Sequence, residues 1–164
     1  MRTTDKYVFF WSGTYSNWHP SAFQVDNVWY NCAEQYLMAA KARLFGDTTM
    51  ESRIMSAVDP ADQKRYGRMV QGFDADKWNA AAKDVMYKAL YAKFTQNEDL
   101  KKEMLSHGTR TFVEASPKDR IWGIGMHWKD RECDDPKNWK GTNWLGESLT
   151  KVRDDIGIQG VMTP

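Results

Sequence analysis

The sequence predicts a helix-rich α+β fold, a single domain with a small β-sheet. Three observations predict it. Several stretches repeat apolar residues at helical spacing, most clearly 33–45, 74–94 and 143–156. Shorter aromatic and β-branched runs at 7–11, 23–30 and 111–115 have strand length. The chain of 164 residues, 41% hydrophobic and 27% charged, suits one domain with a sizeable core, and it shows no repeat, low-complexity tract or linker. The expected domain is therefore 1–164, with 157–164 as a loose tail.

Tyr7 to Trp11 reads as the first strand. Gly13 to Pro20 is a loop. Phe23 to Tyr30 reads as two short strands around Asp26-Asn27, residues that tolerate positive φ in a tight turn. Asn31 or Cys32 leads into a helix running to about Phe45 and stopping at Gly46. Thr48 to Ala57 is a second, shorter helix. Asp59-Pro60 opens a third, with Asp as N-cap and Pro at the first helical position, ending near Gly67. Asp74 or Asp76 caps a long helix to about Phe94, with Trp78, Ala82, Val85, Ala89 and Ala92 on one face. Leu100, Met104 and Leu105 mark another, ended by Gly108. Thr111 to Ala115 reads as a strand, and so does Arg120 to Gly123. Met126 to Gly141 is a polar loop. Asn143 caps a last helix through Leu145, Leu149, Val152 and Ile156.

Composition narrows the function classes. Net charge is +1, so no broad field advertises nucleic acid or membrane, although local binding of a phosphate stays open. No segment is long and apolar enough to span a bilayer, and the amino terminus lacks the apolar run of a signal peptide. Cys32 and Cys133 then read as reduced thiols, and the expected location is cytoplasmic. His19, Cys32, His127 and Cys133 have no metal-ligand spacing, so no metal and no cofactor is expected. Eight tryptophans are more than a core of this size needs. A loop tryptophan offers a flat face and one N–H donor, which suits stacking on a nucleobase. Most are expected to plug loops onto the core.

The helix at 33–45 carries the sharpest chemical signal. Glu34 and Lys41 lie seven residues apart and nearly eclipse at about 100° per residue, with Met38 between them. The adjacent apolar stripe is Ala33, Tyr36, Leu37, Ala40 and Leu44. Glu34 and Lys41 thus fall at the margin of a buried face, where a helix can line a cleft. A carboxylate there can hold a water, and a lysine can bind phosphate or attack a sugar carbonyl. Spacing alone equally allows a boundary ion pair without chemistry.

Taken in order, the motifs resemble the NADAR (YbiA-like) family of N-glycosidases from Phe9 to Ile156. The residues that carry the likeness are Tyr15-Ser16-Asn17-Trp18 with Pro20 and Phe23, then Tyr30, Glu34-Gln35-Tyr36 and Lys41-Ala42. Gly67-Arg68, Trp78 and Lys93-Phe94 follow. Val113-Glu114-Ala115, Asp119-Arg120-Ile121-Trp122-Gly123-Ile124-Gly125, Trp139 to Gly146 and Arg153 complete it. Ala40 stands where members often have Gln or Glu, Asp26-Asn27 where many have Asp-Gly, and the 126–138 loop matches no family pattern.

The resemblance implies a YbiA-like fold and cleavage of a bond between a ribose carbon and a heterocycle nitrogen. Two substrate classes are associated with the family: phosphoribosylamino-pyrimidine intermediates of riboflavin synthesis, and ADP-ribose attached to guanine in nucleic acid. The expected partner is therefore a small phosphorylated ribosyl heterocycle or ADP-ribosylated nucleic acid, with oligomeric state open. Glu34 is the first choice for the catalytic carboxylate and Asp119 the second, with acid and base unassigned; Lys41 either contacts phosphate or traps a ring-opened ribose as a Schiff base. Arg68 and Lys93 are candidate phosphate ligands, Trp122 and Trp78 candidate stackers. Asn17, Trp18, Gly123 and Asn143 are further candidate substrate contacts. Plainer readings stand beside these: Asp119 caps a turn, Trp78 is core, Gly123 serves a turn. The competing function is a module that binds ADP-ribose or a nucleotide without cleaving it.

Overall fold

Chain order alternates short strands with longer helices: β1 Arg2–Thr3, β2 Tyr7–Phe10, β3 Phe23–Val25, β4 Val28–Tyr30, α1 Ala33–Leu44, α2 Thr48–Ser56, α3 Pro60–Gly67, α4 Ala75–Gln96, α5 Glu98–Ser106, β5 Thr111–Glu114 and α6 Trp144–Met162. The structure is a computed structural model; it describes the backbone of residues 1–162 and the side chains of residues 1–158. The fold is α+β and helix-rich, as the sequence predicts. Its contacts gather into two compact units, Asn17–Asn97 and Met1–Ser16 with Glu98–Pro164.

In the 17–97 unit, β3 and β4 form a hairpin pairing Phe23 with Tyr30 and Val25 with Val28. Asp26 and Asn27 take φ of 52° and 66° at its tip, the geometry that keeps two twisted strands in register across a two-residue loop. α1 packs on α2, α3 and α4. That crowding changes which residues of α1 are inside. Ala39 and Ala42 are buried along with Ala33, Tyr36 and Leu37, whereas Leu44, placed on the core stripe by the spacing, is 46% exposed. The short alanines let neighbouring helices approach on more than one side. Phe23 stacks on Tyr30 at 5.8 Å, and Tyr36 meets Tyr30 edge-on at 5.0 Å, closing the core against the hairpin. Asp74, rather than Asp76, caps α4 by accepting from the Asp76 and Lys77 amides.

In the other unit, β2 lies between antiparallel β1 and parallel β5. The two-residue β1 has no hydrophobic pattern and was not expected. Arg2 holds it: its guanidinium pairs with Asp134, donates from Nε to the Trp128 carbonyl at 3.0 Å and lies 4.6 Å from the Phe9 ring. Phe9, Val113, Ala115, Ile124, Met126 and Cys133 form the core around this sheet, and α6 packs on β5. The 126–141 loop contains two short 3-10 turns, Arg131–Asp134 and Pro136–Asn138.

Two expectations fail here. Arg120 to Gly123 is not a strand. Asp119 Oδ1 takes the amides of Ile121 and Trp122, which removes the donors a ladder needs, and the carbonyls of 120–123 instead accept from 142–145. The last helix does not stop at Ile156. α6 continues through Met162, so 157–162 is helical rather than a loose tail; Thr163 and Pro164 lie outside the described residues.

Candidate functional site

The 17–97 unit gathers seven of the candidate residues. α1 starts without a side-chain cap, because Cys32 supplies none. The Asn17 carbonyl accepts the Glu34 amide at 3.0 Å in its place. Glu34 is therefore seated by Asn17 at a helix N-terminus, where the dipole favours a negative group. It is 6% exposed, deeper than the margin that spacing suggested. Lys41 lies two turns on and is half-buried. Burial lowers its amine's proton affinity first; Glu34 opposes that, and the Arg68 guanidinium adds to it. Glu34 and Arg68 thus both bear on the Lys41 amine, with opposite sign.

Gly67 of α3 faces Met38 of α1. A Cβ at this position would meet Met38 Sδ, so a larger residue here would have to push the end of the Met38 side chain aside. Arg68 follows at the end of α3 and is exposed. Aromatic rings meet the cations of this unit. The Lys41 ammonium lies 4.6 Å from the centroid of Phe73, and Lys64 lies 5.9 Å from that of Trp18. Trp18 is 43% exposed and Phe73 47%. Asn17 Oδ1 is buried and has no protein hydrogen-bond partner.

Two candidates of this unit are interior residues. Trp78 is 9% exposed, so its indole belongs to the core and is not a stacking face. Helical spacing with Ala82 and Ala89 puts it there. Lys93 is fully enclosed at 0% exposure, so it is not a phosphate ligand reached from water. Its charge and that of Glu34 both act on the Cys32 thiol, which burial pushes up. A shallow cleft of about 320 Å³ lies on the Gln35 side of α1, lined by Trp29, Tyr30, Asn31, Met55 and Val58 among others. It contains none of the candidates.

The second unit holds Asp119, Trp122, Gly123 and Asn143. Asp119 Oδ1 is engaged in its turn, accepting at 2.9 and 2.8 Å, which is the capping role. Trp122 is half-buried and meets Trp144 edge-on at 5.6 Å. Gly123 is a packing glycine: a Cβ would lie 2.9 Å from the Glu114 carbonyl and 3.0 Å from that of Asp119. Asn143 is 1% exposed, and both ends of its amide are used. Oδ1 accepts the Glu114 amide at 3.0 Å and Nδ2 donates to the Phe112 carbonyl at 3.1 Å. It ties β5 to the start of α6, where its own carbonyl accepts the Glu147 amide at 2.9 Å. Its φ of 54° is one that Asn tolerates better than most residues. Among the described residues, no group of three His, Cys, Asp or Glu side chains could hold a metal ion, and no helix is long and apolar enough to cross a membrane.

A family model described as the NADAR domain matches residues 9–157. The chain belongs to the NADAR family. It is 39% identical over 166 residues to N-glycosidase R617 of Acanthamoeba polyphaga mimivirus, covering 93% of this chain and 97% of that protein. It is 38% identical over 172 residues to Protein irg-1 of Caenorhabditis elegans, covering 93% and 81%. The NMR structure of the E. coli protein YbiA superposes with a TM-score of 0.79 at 27% identity, covering 98% of this chain and 90% of that one.

Within this NADAR chain, Gln35 and Phe73 carry roles that no motif announced. Gln35 donates to the carbonyls of Ile54, Met55 and Ala57 and accepts the Asn31 amide at 2.8 Å, tying α1 to the end of α2. It is the structural member of Glu34-Gln35-Tyr36. Phe73 stands between two helices with no periodicity to mark it, and its exposure beside a candidate amine is the signal that finds it.

Proposed function

We propose that this chain is an N-glycosidase that hydrolyses the bond between C1′ of a phosphorylated ribose and a heterocycle nitrogen, with ADP-ribosyl-guanine as the preferred class. The observation that carries the reading is the grouping of a buried carboxylate, a half-buried amine and a guanidinium in one unit: Glu34, Lys41 and Arg68.

Cleavage places positive charge on the ribose, and a carboxylate close to C1′ stabilises it while the departing nitrogen takes a proton. Glu34 does this. The desolvated amine of Lys41, beside a second cation, is set up for attack. Its lone pair bonds to C1′ as the C1′–nitrogen bond breaks and that electron pair leaves with the heterocycle. Ring opening and loss of a proton from Nζ give an imine, which water hydrolyses to free ribose and amine.

Lys64 and Arg68 are one helical turn apart on α3, Arg68 acts on Lys41, and rings stand by Lys64 and Lys41. A series of cations with an aromatic face at each end suits a diphosphate linking two ring systems better than a single phosphate. This favours ADP-ribose over phosphoribosylamino-pyrimidines. Asn17 Oδ1, with no protein partner, is available to accept a ribose hydroxyl. The same rings and cations equally serve a module that holds ADP-ribose without cutting it.

Glu34→Gln separates the two. It keeps the side-chain shape and removes the charge, so release of guanine from ADP-ribosyl-guanosine should fall by about 10²–10⁴-fold. Undiminished release overturns the assignment of Glu34. Tight ADP-ribose binding by the parent protein, with no product over hours, establishes the binding module instead.

A further inference from the structure

Phe73 is an unusual place for a large apolar ring. It is 47% exposed and follows α3 in the 68–74 segment, outside any regular element. Two contacts nonetheless locate it. The edge of Phe45, just after α1, packs on it with centroids 5.5 Å apart at 66°. The Gln71 amide, two residues earlier, donates to Asp47 Oδ2 at 2.8 Å, and Asp47 Oδ1 accepts the Met50 amide at the start of α2. The loop bearing the ring is thus pinned to the helix cap beside it. What the ring touches in return is Lys41 Nζ, 4.6 Å from its centroid.

We propose that Phe73 is a positioning residue for Lys41: its ring, braced by Phe45 and the Asp47 anchor, covers one side of the amine and holds it in a single place. The inference rests on the role given to Lys41 above. An aromatic face attracts an ammonium but offers it no hydrogen bond, so it orients the group while keeping water away. A lysine stem otherwise has several rotamers to lose, and an unheld amine spends most of its time elsewhere. The charges bearing on Lys41 are Glu34 from its own helix and Arg68 from the end of α3. Burial is the largest influence on its proton affinity and lowers it. The Phe73 ring, 4.6 Å from Nζ, excludes water on its side of the amine and attracts the charged form, two effects of opposite sign on the proton affinity.

The test compares Phe73→Ala with Phe73→Tyr; the second keeps ring and cover. Lysines are methylated with 13C-formaldehyde, and the methyl resonance of Lys41, identified by its loss in Lys41→Arg, is titrated without substrate. In Phe73→Ala the Lys41 pKa should move by about half a unit or more, upward where the lost cover dominates and downward where the lost pull on the ammonium does. In Phe73→Tyr it should stay at the parent value. With ADP-ribosyl-guanosine, Phe73→Ala should lose about tenfold or more in kcat, as a misplaced group does, and Phe73→Tyr should recover it. An unchanged Lys41 pKa in Phe73→Ala overturns this inference whatever the turnover. A shifted pKa with unchanged kcat overturns the positioning role of Phe73 where Lys41→Arg is inactive, and overturns the role of Lys41 in the reaction where Lys41→Arg keeps the parent kcat.

Discussion

Replacing Asn143 should damage the fold and spare the chemistry of whatever remains folded. The amide of Asn143 joins two backbone groups of β5, the Glu114 N–H and the Phe112 carbonyl, at a position 1% exposed. Water cannot take its place there. Asn143→Ala leaves both groups unsatisfied, at about 1–3 kcal/mol each. Alanine at φ 54° adds about 1–2 kcal/mol of backbone strain. Allowing for partial relaxation, the expected loss is about 3–5 kcal/mol. In a chain of this length, that lowers the thermal midpoint by about 8–15 °C. Asn143→Gly loses the same two bonds without the strain, so it should lie about 1–2 kcal/mol above the alanine variant. Urea unfolding followed by tryptophan fluorescence measures both. A cost below about 1 kcal/mol for Asn143→Ala refutes the bridge, and identical costs for the two variants refute the strain at this φ. A raised KM in folded Asn143→Ala protein would return Asn143 to the list of substrate contacts.

His107 and Asp47 give two further tests. Burial lowers the His107 pKa, helped by Arg110 and Arg153 and opposed by Glu103, and its Nε2 is buried without a protein hydrogen-bond partner. Between the folded pKa and the ordinary value of 6.5 the unfolded chain binds more protons, so stability rises with pH through that window and is lost on acidification. His107→Phe should flatten the midpoint-versus-pH curve just below the ordinary histidine value of 6.5; an unchanged slope counts against it. Asp47 is held below the usual carboxylate range by the Gln71 and Met50 amides, so its contribution is present above the unfolded value of 3.8 and fades as pH falls through the folded one. Asp47→Ala should speed amide hydrogen exchange at Gln71 and Met50 about tenfold or more, leaving α4 at the parent rate. Equal protection in both proteins would remove the anchor from the account of Phe73.

Short-range rules sufficed for most of the helices and strands. The Asp26-Asn27 turn, the Asp59-Pro60 start, Gly46 after α1 and the stripe joining Glu34 to Lys41 are each decided by residues within one or two turns of one another. That is the range over which caps, positive φ and a 3.6-residue period act. The ordered motifs were likewise enough to place the chain among NADAR proteins. Tertiary packing decided the rest. Lys93 lies on the same helix as Trp78, whose place in the core the spacing allowed, and only the elements packed around that helix make a lysine interior as well. Asn143 carries a polar group that a sequence cannot assign between ligand and backbone, and backbone groups about 30 residues away, the Glu114 amide and the Phe112 carbonyl, claimed it, whereas Asp119 took the local turn that its own neighbours offer. Phe73 and Arg2 have no periodicity at all. Each is located by a partner 30 to 130 residues distant, so its role becomes visible only when that partner has coordinates.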